Sequence, residues 1–322
     1  MASIRAFHTY TGKGYKTTTT TMLDKLFGHG MHHFVIHLGM AEQVHFRSGQ
    51  STSAVVSQSI SDLKSFLSVW KASKLKSKDM WISVPWLHNT FATYDNANDF
   101  YPDFKDFILK AKQAVIDELG QTFWDENVQG FNFRTEMIYP IDTRISSSKP
   151  TSNEVVLLMN NVAAYVRSSA VDNKQLMWCP YMGYGTYASN ITYNMGVVAN
   201  RTNIFNVICI QPAYYYHYDN NCPTKNITAV YNSAKFNVVE DINGVEIAGG
   251  RSSSATALIG VNMECDNYAT DPSREEYDIF QQYLDVYVDL VHEVPFTVYG
   301  NTLDNFSSND ELIQMVDDFL TS

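Results

Sequence analysis

The stretch NVQGFNFRTEM, residues 127–137, is an apolar, strand-like run that ends in a charged cluster, Arg134 and Glu136. A carboxylate released at the end of a buried strand is expensive unless it is paired or put to use. Seven further short apolar runs show what kind of sheet this strand belongs to: SIRAFHTY (3–10), MHHFVIHLG (31–39), MWISVPW (80–86), QLMWCPYM (175–182), NVICIQPAYY (206–215), ALIGVNME (257–264) and VPFTVYG (294–300). Most are apolar on both alternating faces, the pattern of strands covered on both sides, as in a parallel sheet.

Segments with helical spacing lie between these runs. The clearest are 52–73, 101–120, 152–170 and 273–292, with acidic residues in several first turns and Pro102 and Pro272 near two of the starts. TTTTTMLDKLFGHG, NITYNMGVVANRTN, NITAVYNSAKFNVVED and SNDELIQMVDDFLTS are weaker members of the same series. Eight strand–helix units, about 40 residues each, predict a single (β/α)8 barrel, a TIM barrel, over residues 1–322. An open doubly wound sheet alternates in the same way, but no Gly-rich phosphate fingerprint follows any strand, and GKGYK (12–16) lacks the P-loop spacing.

Composition narrows the function. With 45% hydrophobic, 13% aromatic and 18% charged residues the chain reads as globular, and no apolar run is long enough for membrane insertion. A net charge of −11, with basic residues scattered outside KASKLKSK (71–78), argues against nucleic acid or an anionic membrane as partner. Cys179, Cys209, Cys222 and Cys265 show neither a CxxC pair nor metal-ligand spacing and read as buried thiols. MASIRAFHTY has no basic start, apolar core or cleavage site, so no signal peptide is read; a chain beginning after a removed leader would look the same and would be exported or cell-surface. Asn190, Asn200, Asn226 and Asn305 each open an N-x-S/T sequon, which matters only in a chain secreted by a eukaryotic cell.

In a barrel of this kind the chemistry sits where the strands end, so the residues closing each run form one ring. Going round, they are His8 and Tyr10; His37; Trp86 and His88; Arg134 and Glu136; Tyr181 and Tyr184; Gln211 and Tyr214 to Tyr216; Glu264 and Asp266; Tyr299 and Asn301. Glu136 ends the fourth run and Glu264 the seventh. Two carboxylates facing one mouth can divide acid and nucleophile roles if their surroundings push their pKa values apart, with Arg134 keeping a neighbouring acid ionised. Asp266 stands in reserve to replace or orient Glu264. Trp86, Trp178, Tyr181, Tyr184 and Tyr214 to Tyr216 offer flat faces to sugar rings, while tyrosine hydroxyls, Gln211 and His37 offer hydrogen bonds to sugar hydroxyls. His8 and Tyr299 also belong to the candidate substrate-binding set. Trp178, inside its run, reads as core, and strand alternation gives Tyr214 and Tyr216 a shared face. His32, His33 and His37 do not make a metal site, since His32 opposes the other two and no HExxH helix is present. No GxSxG elbow and no thiol beside a His base supports acyl transfer.

The fourth-strand and seventh-strand positions of Glu136 and Glu264 resemble those of the acid/base and the nucleophile in the large clan of retaining glycosidases with this fold; Thr135 stands where that clan often has Asn. GFNFRTE (130–136), MWCPYMGYG (177–185), ICIQPAYYYH (208–217) and IGVNMECD (259–266), taken in order, resemble the bacterial family catalogued as domain of unknown function 4855. That resemblance implies a glycosidase-like barrel. The expectation is a glycoside hydrolase acting on a poly- or oligosaccharide with retention, Glu136 as acid/base and Glu264 as nucleophile, requiring no cofactor. The alternatives are a non-catalytic glycan-binding or cell-surface barrel, and an inverting hydrolase or a lyase on an acidic sugar, against which the low basic content argues.

Overall fold

The computed structural model describes residues 4–39, 44–88 and 94–322. Eight parallel strands close into a barrel in chain order: β1 (Arg5–Thr11), β2 (His33–Leu38), β3 (Asp79–Ser83), β4 (Val128–Phe133), β5 (Gln175–Trp178), β6 (Val207–Ile210), β7 (Leu258–Glu264) and β8 (Phe296–Tyr299). Pairing of Arg5 with Phe296 closes the ring between β1 and β8. Each strand is followed by a helix: α1 (Thr20–Asp24), α2 (Thr52–Ala72), α3 (Tyr101–Leu119), α4 (Glu154–Val166), α5 (Ala188–Arg201), α6 (Lys225–Phe236), α7 (Glu275–Tyr287) and α8 (Asp310–Thr321). The expected single (β/α)8 barrel is therefore the fold.

Local chemistry sets the helix limits. Asn153 accepts hydrogen bonds from the Val155 and Val156 amides to start α4, and Asn309 accepts from Leu312 to start α8. Gly120, at φ 93°, ends α3 where a residue with a Cβ would be strained. Of the expected sequons, Asn200 and Asn226 are fully buried and tie loops together: Asn200 donates to the Val239 and Ile247 carbonyls, Asn226 to those of Gly183 and Pro212. All four cysteines are free and buried.

Several runs stop sooner than the sequence predicts. The third ends at Ser83, and Trp86–Leu87 instead pairs with His45–Phe46 in a separate two-stranded sheet. The sixth ends at Ile210; Ala213 takes a left-handed φ of 62° and Tyr214–His217 forms a helical turn. Strand alternation thus does not govern the tyrosine triplet.

The barrel interior is layered. Its lower part holds a small apolar cluster, including Ala6, Val35, Trp81, Met177 and Cys209, separate from the main core between strands and helices. Above it lies a buried polar layer with His8, His37, Ser83, Asn132 and Asn262. β4 and β7 share a pattern: Gly130 and Asn132 alternate on one, Gly260 and Asn262 on the other. Glu264 continues the β7 face at the strand end, while Glu136 follows β4 on the connecting segment. A Cβ at Gly130 would collide with the Gln175 carbonyl, and one at Gly260 with the Pro295 carbonyl, so both glycines permit close approach of the next strand.

Candidate active site

A cavity of about 460 Å³ opens at the C-terminal ends of the strands, a size ordinary for small-molecule sites. Glu136 and Glu264 both line it. Glu264 is the last residue of β7 and only 2% exposed. Its Oε2 accepts a hydrogen bond from the Tyr283 hydroxyl at 3.0 Å, and that hydroxyl in turn accepts from the Tyr215 amide at 3.0 Å. Burial pushes the Glu264 carboxyl up to about 8, the Tyr283 bond pulls it back, and the charge of Glu136 pushes it up again. Glu136 stands beyond the end of β4, on the connecting segment, partly open to the cavity. Burial raises it to about 7 against the opposing pull of the Gln211 amide and the Arg134 charge. Each group sits where its charged form is disfavoured, and each disfavours the charge on the other.

Aromatic side chains supply much of the remaining wall. Tyr10 packs against Tyr299 with ring centres 5.4 Å apart, and Tyr216 against Tyr299 at 5.6 Å. Tyr184 stacks on His217 at 4.1 Å and touches Tyr181 at 5.3 Å. Trp86 lies under the Arg134 guanidinium at 5.4 Å. His37 stacks on Tyr10 at 4.4 Å, and burial holds its imidazole well below the usual histidine range, hence neutral. Its Nε2 is 2.7 Å from His8 Nδ1, and its Nδ1 is 3.1 Å from Ser83 Oγ, which also accepts from Asn132. With His37 neutral, the hydrogen-bonded chain through His8, Ser83 and Asn132 forms the floor beneath the cavity.

The expected site residues divide accordingly. Trp86, His37, Arg134, Glu136, Tyr181, Tyr184, Gln211, Tyr216, Glu264 and Tyr299 come together around the cavity. His8 sits one layer below, in a smaller pocket shared with Glu136, Gln211 and Tyr299. Tyr214 and Asp266 are not among the described residues lining either pocket. Tyr214 and Tyr216 both pack against the main core, but the helical turn sets them apart and only Tyr216 also lines the cavity. Asp266 accepts from the Tyr215 hydroxyl at 2.8 Å and from the Tyr268 amide, so it anchors the turn beside Glu264. Trp178 is core, its indole donating to the Thr135 carbonyl at 2.7 Å. Thr135 also accepts from the Leu87 amide and thereby clamps the segment carrying Glu136. Arg134 forms no ion pair with Glu136 among the described residues; its Nη1 donates to the carbonyls of Leu38 (2.7 Å) and Gly39 (2.9 Å). Its field lowers Glu136 less than burial raises it.

Sequence reasoning missed Tyr283, on α7, which presents no signal beyond its place in the buried helical stripe. It also missed Tyr15, on a connecting segment, His45, in the two-stranded sheet, and His217, in the Tyr214–His217 turn, all of which line the cavity. Among the described residues no group of three or more His, Cys, Asp or Glu side chains is placed to hold a metal, and no helix is long and apolar enough to cross a membrane.

No family model matches the chain, and no curated protein matches it in sequence. Solved structures do match in shape. An endo-glycoceramidase II from Rhodococcus sp. aligns over 98% of this chain and 78% of its own, at 11% identity and a TM-score of 0.54. A glycoside hydrolase family 5 enzyme from Prevotella bryantii B14 aligns over 98% and 94%, at 12% identity and 0.52. At such identities the likeness establishes a common barrel fold, the one on which these glycoside hydrolases are built.

Proposed function

We propose that the protein is a glycoside hydrolase acting on a poly- or oligosaccharide with retention of anomeric configuration. The observation that carries this reading is the pair of glutamates from β4 and β7, both raised by burial and meeting in one aromatic-lined cavity. Two coupled carboxyls raised to this range share protons near neutrality, so one is available as acid while the other is ionised. In the free protein burial leaves Glu264, at about 8, the more protonated of the pair and Glu136, at about 7, the first to ionise. The roles are therefore assigned from position: Glu264 is the nucleophile, fixed at the end of β7, and Glu136 the acid/base, facing the open cavity. The reactive form is the one with the shared proton on Glu136.

In the first step Glu136 gives its proton to the glycosidic oxygen as the bond to the anomeric carbon breaks, and a Glu264 oxygen bonds to that carbon. The alcohol leaves. In the second step Glu136, now ionised, takes a proton from water; the water oxygen replaces Glu264 on the carbon, and both carboxyls regain their starting states. The tyrosine and tryptophan faces stack on the sugar, and no cofactor enters. Membership of the family of domain of unknown function 4855, which the four ordered motifs resemble, belongs to this proposal.

The test is direct. Glu136→Gln and Glu264→Gln should each remove turnover on the glycan that the wild type cleaves. In acid, where the carboxyls are protonated folded and unfolded alike, both should leave thermal unfolding within a few degrees, while NMR of the first-formed wild-type sugar shows the starting anomer. Undiminished turnover in either variant sinks the assignment, and an inverted product sinks retention.

A further inference from the structure

Arg134 is 7% exposed, lines the cavity and, among the described residues, has no carboxylate within ion-pairing reach. A guanidinium so enclosed is costly unless an anion or well-aimed acceptors meet it. The protein meets one side of it. Nη1 is occupied by the carbonyls of Leu38 and Gly39, and Trp86 covers a face. This leaves the edge formed by Nε and Nη2, the edge whose parallel N–H groups match the two oxygens of a carboxylate. The Tyr15 hydroxyl, also on the cavity, hydrogen-bonds the same guanidinium and is drawn by it toward ionisation against the effect of burial, so a ligand oxygen docking there takes over or shares that contact. An arginine gripped by main-chain carbonyls on one side is fixed in position, so its remaining donors are preorganised.

We propose that the cavity takes a sugar bearing a carboxylate, a hexuronic acid residue, whose carboxyl group docks on the Nε–Nη2 edge of Arg134. The inference rests on the reading of this cavity as the sugar site and names its substrate class. A chain charged at every residue is a poor match, because the protein's net charge of −11 repels a polyanion; a single or terminal uronic acid is the better fit. The substrate carboxylate would also bring negative charge toward Glu136 and so favour the protonated acid form that the first step uses.

The experiment is calorimetric binding of D-glucuronate and D-galacturonate, each against glucose or galactose, below neutrality where the glutamate pair retains its protons. For the wild type, at least one uronate should bind about tenfold or more tightly than its neutral counterpart. Arg134→Gln should erase that gap, and Arg134→Lys, which keeps the charge and loses the fork, should recover only part of it. Equal binding of uronate and neutral sugar by the wild type, or a gap that survives Arg134→Gln, overturns the proposal; the wild-type comparison holds even if the variants fold poorly. A parallel assay on aryl glycosides and aryl glycosiduronates separates the two readings. Uronate binding with no cleavage of either supports this proposal and removes the hydrolase, whereas cleavage of neutral glycosides without uronate preference does the reverse.

Discussion

Glu264 closes a strand, is 2% exposed and is held by a tyrosine that is itself held by a main-chain amide, whereas Glu136 stands past its strand on a connecting segment, partly open to the cavity. One side of the mouth is built for fixity and the other for reach. That difference suits the proposed division of roles. A nucleophile must meet one carbon along one line, while an acid/base must serve the leaving oxygen and then a water. The segment bearing Glu136 is anchored at Thr135, through the Leu87 amide and the Trp178 indole, and at Tyr139, which stacks on Tyr94 with ring centres 3.8 Å apart. Anchored at both ends, it leaves its carboxyl facing the cavity.

The largest effect should separate the two sides by leaving group. Glu264→Gln should cost about 10⁴-fold or more in kcat on every substrate. Glu136→Gln should cost about 10²–10⁴-fold on a natural glycan but much less on an aryl glycoside whose phenol leaves without help. Steady-state kinetics on the two substrate types reads this, and equal losses for both variants would break the asymmetry.

Stability against pH comes next. The folded value of Glu264, about 8, lies above its ordinary 4.5, so the folded state binds the proton more tightly than the unfolded chain does. The stabilisation from protonation is complete below the unfolded value and disappears as pH rises through the folded one. Wild type and Glu264→Gln should therefore unfold alike in acid, and above pH ~8 the variant should be the more stable by on the order of 5 kcal/mol. Calorimetric unfolding across that range checks it; parallel curves would mean that Glu264 is not held in a desolvated site.

Tyr283→Phe should lower kcat by about 10- to 100-fold, the scale of a hydrogen bond to a charged group. Because the hydroxyl pulls the Glu264 value down, its removal should move the acidic limb of the pH–rate curve to higher pH, which a purely structural role would not do. The smallest effect belongs to Tyr214→Ala, expected within about twofold of wild type in kcat/KM, since a side chain packed on the core away from the cavity contributes little to differential binding. A large loss there would place Tyr214 back in the site.

The eight strands were legible because parallel strands covered on both sides write themselves as apolar runs, and β4 and β7 carried their glutamates visibly at or just beyond their ends. The tyrosine triplet was not, because the left-handed turn at Ala213 converts an extended stretch into a helical one and sends Tyr214 and Tyr216 to different surroundings. Tyr283 was hidden for another reason: it reaches Glu264 from a helix, where a buried tyrosine looks like any other apolar-face residue. The partners of Arg134 were hidden too, because main-chain carbonyls of β2 and the turn after it leave no mark in side-chain identity.

Gly130 and Gly260 have a consequence for how this molecule can change. Each lets the neighbouring strand press close, Gly260 on the strand that ends in Glu264 and Gly130 on the strand that leads to the segment bearing Glu136. They act as fixed posts. Glu264 closes β7, so its height follows from backbone contact deep in the barrel, whereas Glu136 also depends on the clamps at Thr135 and Tyr139. Only rim segments outside those clamps can be exchanged or lengthened without altering the spacing of the acids. Specificity can drift in a lineage while the reaction stays where it is, and a single methyl group added at either post would do more damage than an insertion at the rim.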